Sequence, residues 1–167
     1  EGFYTEGGLM DNLGAGGCLF VLTTPGASPT DMDSVTVSAM AAFYPFLTVD
    51  LQTAVLHTDG NMSVIFGPAV TPGTSYYIKV SHRNSIETWT KNPVLFFPIT
   101  YYDFTTASTQ AFDDGYTLPM KLVDTSPDRW AIFNGDVSRD GTIDSEDMTL
   151  EETDASAGVF GYNLSDL

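Results

Sequence analysis

A stretch near the end of the chain carries oxygen-bearing side chains at a regular spacing. From Asp136 to Asp147, side-chain oxygens fall at positions 1, 3, 5, 9 and 12, and a glycine stands at position 6. Calcium takes about six to eight oxygen ligands, and twelve-residue loops supply them from these positions and from the carbonyl at position 7. The spacing predicts a Ca2+ site with the ligands Asp136, Ser138, Asp140, Thr142 (through its carbonyl), Asp144 and Asp147.

Two features separate this loop from the common helix–loop–helix calcium site. Position 12 is Asp147, where that motif has glutamate, and no helical pattern precedes Asp136. Gly141 permits the sharp turn at position 6. We expect Ile143, at position 8, to anchor the loop to the core, and we expect the following helix to begin near Ser145.

The loop resembles dockerin-type modules, in which the entering helix is missing and aspartate closes the loop. The match rests on Gly135-Asp136, on the run 140–144 and on Asp147-Met148. Such modules contain two loops, and residues 161–167 are similar to the approach to a second one, with Asp166 at its position 1. The resemblance implies a truncated dockerin-like segment over residues 134–167, in a parent protein that continues.

Residues 1–104 alternate apolar and polar side chains, as half-buried β-strands do. The predicted strands are 35–39, 62–66, 75–83, 86–90, 94–97 and 99–104, with a hairpin turn at 59–61. His82 falls on the face of its strand that also carries Ile78 and Val80, so we expect it among core residues. Short strands without an amphipathic helix predict a mainly β fold, an antiparallel Ig-like or jelly-roll-like β-sandwich.

Residues 105–133 are polar with scattered aromatics, which predicts a connecting segment between the sandwich and the calcium loop. Trp130, Ile132 and Phe133 precede the loop, and large apolar side chains there need a neighbour to pack against. A second resemblance covers the sandwich, since residues 75–89 are similar to a β-sandwich of large secreted surface proteins of Bacteroidota. That resemblance implies export, often by the type IX route, and display at the cell surface.

The amino-acid composition limits the kinds of partner that this chain is expected to bind. Among 167 residues, 22 are acidic and 6 basic, for a net charge of −16, which repels nucleic acid and anionic lipid headgroups. No apolar run approaches the length of about 20 residues that spans a bilayer, so no direct membrane insertion is expected. Residues 136–167 hold nine acidic side chains and one basic one, Arg139, a density that favours a cation. The single cysteine, Cys18, is interpreted as a small buried hydrophobe.

The sequence contains no convincing set of catalytic residues. His82 is interpreted as a core histidine, and His57 sits beside a turn without an evident serine or cysteine partner. The adjacent pairs Asp113-Asp114 and Glu151-Glu152 do not face a common substrate as a glycosidase pair must. We therefore expect no enzyme activity.

The sequence predicts an extracellular, non-catalytic calcium-binding structural or adhesion module, for instance a subunit of a surface filament or adhesin. The start at Glu1 reads like the middle of a first strand, and a sandwich edge left short of a partner would recruit a neighbouring domain or subunit. Four tyrosines, Tyr4, Tyr44, Tyr101 and Tyr102, are candidates for a sugar-stacking platform, against core packing or an inter-domain contact. The alternatives are therefore a carbohydrate-binding accessory module of a secreted hydrolase and a scaffold-docking dockerin.

Overall fold

The computed structural model describes residues 4–10, 23–116, 118–159 and 165. Over these residues the chain is mainly β, with antiparallel pairing throughout its sheets. The elements are β1 (Tyr4–Thr5), β2 (Leu9–Met10), β3 (Asp31–Ala41), β4 (Thr48–His57), β5 (Ser75–His82), β6 (Ser85–Trp89), β7 (Val94–Leu95), β8 (Lys121–Thr125), β9 (Asp128–Ala131) and α1 (Ser145–Ala157). The predictions for Cys18, for a first strand running from Glu1 and for a second loop at Asp166 lie outside the described residues.

The central sheet has the strand order β4-β3-β5-β6, and β7 pairs with the first two residues of β5. Strand β3 is buried along almost its whole length because it has a hydrogen-bonded neighbour on each side. Its β-branched residues Val35 and Val37 suit such a position. The strands predicted around residues 35–39, 75–83 and 86–90 are confirmed.

The core lies on one face of this sheet. Val35, Val37, Ala54 and Val80 form a buried cluster, and side chains from outside the sheet pack against it, among them Met62, Val64, Phe66, Phe104 and Ile132. Residues 62–66 and 99–104 thus cover the sheet, but they form no strands, so these two strand predictions were wrong. Both segments adjoin a proline, Pro68 or Pro98, which has no N–H to give to a ladder. Their alternating side chains meet the core without backbone pairing.

Strands β4, β8 and β9 were not anticipated from the sequence. Strand β4 carries polar residues on its outer side, and the β8–β9 hairpin lies inside the predicted connecting segment, with Pro127 in its turn. A proline in a turn removes no ladder bond. The hairpin is tied back by Trp130, whose N–H donates to the Thr105 carbonyl at 2.9 Å. The expected packing of Ile132 against a neighbour is confirmed.

Candidate functional site: the loop 136–147 and its attachment

The loop is entered from a short strap, residues 133–135, that is bonded to the turn between β5 and β6. The Gly135 N–H donates to the Asn84 carbonyl at 2.7 Å, and the Ile86 N–H donates to the Phe133 carbonyl at 3.0 Å. Gly135 has φ +115°, and a Cβ there would lie 3.4 Å from the Ile143 side chain. A side chain at this position is therefore strained, and the loop starts from a fixed point on the sheet.

The first loop residue, Asp136, is buried with 2% of its surface exposed. Its carboxylate accepts the N–H groups of Asp140 and Gly141, each at 3.1 Å, one on each oxygen. Gly141 has φ +88°, so the turn at position 6 uses the conformation that glycine adopts without cost. Hydrogen bonds to an ionised acceptor are stronger than neutral ones. The loop consequently folds around its own first carboxylate.

The last loop residue, Asp147, is equally buried, with 3% exposed. Its two oxygens accept the N–H groups of Ser138 and Asp144, both at 2.9 Å. The second bond also belongs to a capping box, because the Asp144 carboxylate accepts the Glu146 N–H at 2.8 Å and caps α1. The predicted helix start near Ser145 is confirmed. These amides, that of Ser138 first, hold the pKa of Asp147 below its ordinary value.

Acid should loosen the loop through Asp147. A carboxyl whose pKa is lowered by folding contributes stability that is fully present above its unfolded value, ordinarily 3.8, and is lost as the pH falls through the lower folded pKa. Asp147→Asn removes that contribution and leaves an amide that cannot accept both N–H groups, at a cost of about 1–3 kcal/mol. Thermal melts at decreasing pH should converge for the two proteins. Glu152→Gln, an exposed change on the same helix, is the control, and a wild-type melt that falls no more steeply than that of Asp147→Asn would contradict this.

The other predicted ligands lie on the same loop. The Ser138 hydroxyl is buried beside Asp147, whereas Asp140, Thr142 and Asp144 are exposed. Asp140 accepts the Thr142 N–H at 2.8 Å. Over the described ranges, no group of three or more His, Cys, Asp or Glu side chains is placed to hold a metal ion. The four predicted aspartate ligands are therefore not gathered into such a group, and the calcium site stays a prediction.

Two loop residues behave differently from expectation. Ile143 is 44% exposed, whereas Val137 is almost fully buried, so the expectation that Ile143 anchors the loop was wrong. Val137 follows directly on the strap and is carried inward with Asp136. Arg139 adopts φ +64°, unusual for a residue with a Cβ, and its Nε donates to the Arg83 carbonyl at 3.0 Å. Nothing in the loop spacing indicates this second tie to the β5–β6 turn.

A buried polar cluster lies under the same turn. Asp33 on β3 is 1% exposed, and its Oδ2 lies 3.2 Å from Nε of the buried Arg83 and 2.9 Å from Nε2 of His82. The His82 Nε2 atom nevertheless makes no well-directed hydrogen bond, while its Nδ1 lies 3.3 Å from the Ser85 hydroxyl. His82 was correctly placed among core residues. Its partner was missed because Asp33 lies on another strand.

No protein-family model matches the chain, and no curated protein or solved structure matches it. Among the described residues, no helix combines the length and the apolar character that a membrane span requires. The class defined by the fold is a mainly β protein with antiparallel sheets, followed by an aspartate-rich loop and the helix α1. Functional inference therefore starts from the loop and from what it touches.

Proposed function

We propose that the chain is a non-catalytic, calcium-binding structural module displayed outside the cell. The observation that carries the proposal is the burial of two carboxylates, Asp136 and Asp147, at the two ends of one loop. Burying like charges is costly unless they are compensated. Their bonds to Asp140, Gly141, Ser138 and Asp144 are to neutral backbone amides, which offset part of that cost. A divalent cation would offset the rest.

The chemistry of the donors suits calcium. The proposed ligands are Asp136, Ser138, Asp140, the Thr142 carbonyl, Asp144 and Asp147. A carboxylate offers about four lone-pair sites, so oxygens that accept one N–H each can still bind an ion. The buried Ser138 hydroxyl lies beside Asp147, whose pKa it helps to lower, and it would join the same ligand set. An all-oxygen set with several carboxylates favours calcium over zinc, which prefers nitrogen and sulfur.

The wider proposal is a sandwich with a dockerin-like segment, working as part of a surface filament or adhesin with neighbouring domains or subunits as partners. Over the described residues, β4 is an outer strand of the central sheet, and Leu51 on it is exposed together with the nearby Phe43 and Leu47. Outer strands with free backbone groups accept strands from other chains. This edge supports assembly. The scaffold-docking alternative needs a second loop, at Asp166, which lies outside the described residues.

Calcium titration tests the site. Isothermal titration of the chain should give a single site with a dissociation constant on the order of 10⁻⁴ to 10⁻³ M, typical of extracellular modules. Asp140→Ala should weaken binding at least tenfold, because a carboxylate ligand is lost from an exposed position where folding tolerates the change. Asp128→Ala, an equally exposed carboxylate on β9, is the matched control. Equal affinities in the two variants, or no binding by the wild-type chain, would refute the proposed site.

A further inference from the structure

A cavity of about 820 Å³ lies between the central sheet and the segments that cover it. Its size falls within the range of about 300–1,000 Å³ typical of small-molecule sites. One end is lined by Asp33, His82, Asn84, Ser85 and Asn134, and the covering side by residues 100–105 and 129–132. Polar groups at one end and a mixed aromatic wall at the other are the usual composition of a ligand site.

The wall contains three of the four tyrosines considered as sugar platforms. Tyr4, Tyr101 and Tyr102 all line the cavity, together with Trp130. Tyr44, the fourth, does not line it and packs edge-on against Phe46 instead. Aromatic rings that present their faces to a cavity pack well against apolar C–H surfaces, and the hydroxyl or indole N–H gives a polar handle.

The polar end holds one unsatisfied group. The Asn134 Oδ1 atom is buried without a hydrogen-bond partner, whereas the His82 Nε2 atom lies 2.9 Å from Asp33 Oδ2. His82 and Asn134 sit on neighbouring segments, since His82 pairs with Ser85 and Ser85 in turn bridges to Asn134. A buried polar atom left unsatisfied costs about 1–3 kcal/mol. A hydroxyl group of a ligand can donate to the Asn134 oxygen and so satisfy it.

The charged residues that line the cavity limit the kinds of ligand that it can bind. The carboxylates of Asp33, Asp59 and Asp103 line the cavity, against the guanidinium of Arg129 and the imidazole of His82. The whole chain carries a net charge of −16. Acidic ligands are therefore repelled. Asp33 already faces Arg83, and Asp59 and Asp103 accept bonds from their own turns, so part of the hydrogen-bonding capacity of these carboxylates is already used.

We propose that this cavity binds a neutral oligosaccharide, with a hydroxyl group donating to Asn134 and sugar rings packed against Tyr101 and Trp130. This goes beyond the structural role proposed above, because it gives the sheet domain a ligand of its own. It does not depend on calcium occupying the loop.

Paired tyrosine variants test the position of the site. Tyr101 and Tyr44 are 90% and 84% exposed, so alanine at either should leave the fold intact, but only Tyr101 lines the cavity. Titrations with cellotriose, maltotriose and chitotriose should find binding by at least one of them at millimolar concentrations. Tyr101→Ala should weaken it about tenfold, a loss of about 1.4 kcal/mol, and Tyr44→Ala should leave it unchanged.

A second variant tests the polar end. Asn134→Leu keeps the side-chain size and removes an unsatisfied acceptor, so the melting temperature should stay level or rise while sugar binding falls at least tenfold. A purely structural role for Asn134 would lower stability instead. The proposal is overturned if none of the three trisaccharides binds below about 10 mM, a weak-binding limit near −3 kcal/mol, or if the tyrosine variants behave alike. Binding of choline or of trigalacturonate in place of the neutral sugars would equally overturn it.

Discussion

Replacing Asp33 by alanine is expected to lower the free energy of unfolding by about 3–5 kcal/mol, because it leaves a buried guanidinium without its counter-charge. Asp33 and Arg83 are both buried, and Oδ2 lies 3.2 Å from Nε. The carboxylate also accepts the Ser34 N–H at 2.6 Å, so the same change removes that bond as well. Urea denaturation of the purified chain measures the loss directly.

The exposed ion pair Lys79–Glu87 is the matched comparison. Its atoms are 2.9 Å apart, closer than those of the buried pair, but the Glu87 side chain is 44% exposed, against 1% for Asp33. Glu87→Ala should therefore cost only about 0–1 kcal/mol, because exposed pairs are weak whatever their distance. Replacing Asp33 and Arg83 together by leucine and methionine should recover part of the loss. Similar costs for Asp33→Ala and Glu87→Ala would show that the buried pair does not hold the sheet together.

Calcium is expected to stabilise the folded loop and helix by about 2.7 kcal/mol at a hundredfold excess over its dissociation constant, since an ion that binds only the folded state adds RT ln(1 + [L]/Kd). Helix α1 is expected to need this support because, among the described residues, its apolar side chains Met148 and Leu150 are exposed. Chelation should therefore loosen the segment 134–157 before the sheet.

Limited proteolysis and amide hydrogen exchange, with and without a chelator, measure whether the segment 134–157 loosens before the sheet. Cleavage in 134–157 and exchange at the Gly135 N–H should rise on chelation, while the amides of β3 and β5 stay protected. Asp140→Ala should behave in calcium as the wild-type chain does with the chelator. Equal protection of the loop in both conditions would mean that calcium, even if bound, is not structural.

Local patterns predicted strands β3, β5 and β6 of the central sheet but missed its outer strand β4 and misjudged the covering layer. Strand β5 was predicted because Tyr76, Ile78 and Val80 recur at every second position, and the start of α1 was predicted from the end of the twelve-residue loop. Residues 62–66 show the same alternation as β5 yet form no ladder, because alternation reports burial of one side and says nothing about a backbone partner.

The candidate loop could be located from spacing alone, but its attachments could not. Bonds such as Arg139 to the Arg83 carbonyl join residues that are distant in sequence, and they exist only because the strap brings position 4 of the loop to the β5–β6 turn. The same reason hid the Asp33 partner of His82. The cavity could not be predicted from the sequence either. It is bounded by β3, β5 and residues 100–105, which come together only in the complete fold.

The strap bonds make the β5–β6 turn a shared boundary between the two proposed sites. The Asn84 carbonyl holds Gly135 at the head of the loop, and the Asn84 side chain lines the cavity. An ion that restrains the loop would therefore also restrain one wall of the cavity. A sugar that restrains this wall would in turn restrain the loop. Such coupling is reciprocal by thermodynamic necessity, so any factor by which calcium tightens sugar binding is the factor by which sugar tightens calcium binding. Outside the cell, the affinity of this protein for its sugar ligand would then rise and fall with the calcium concentration.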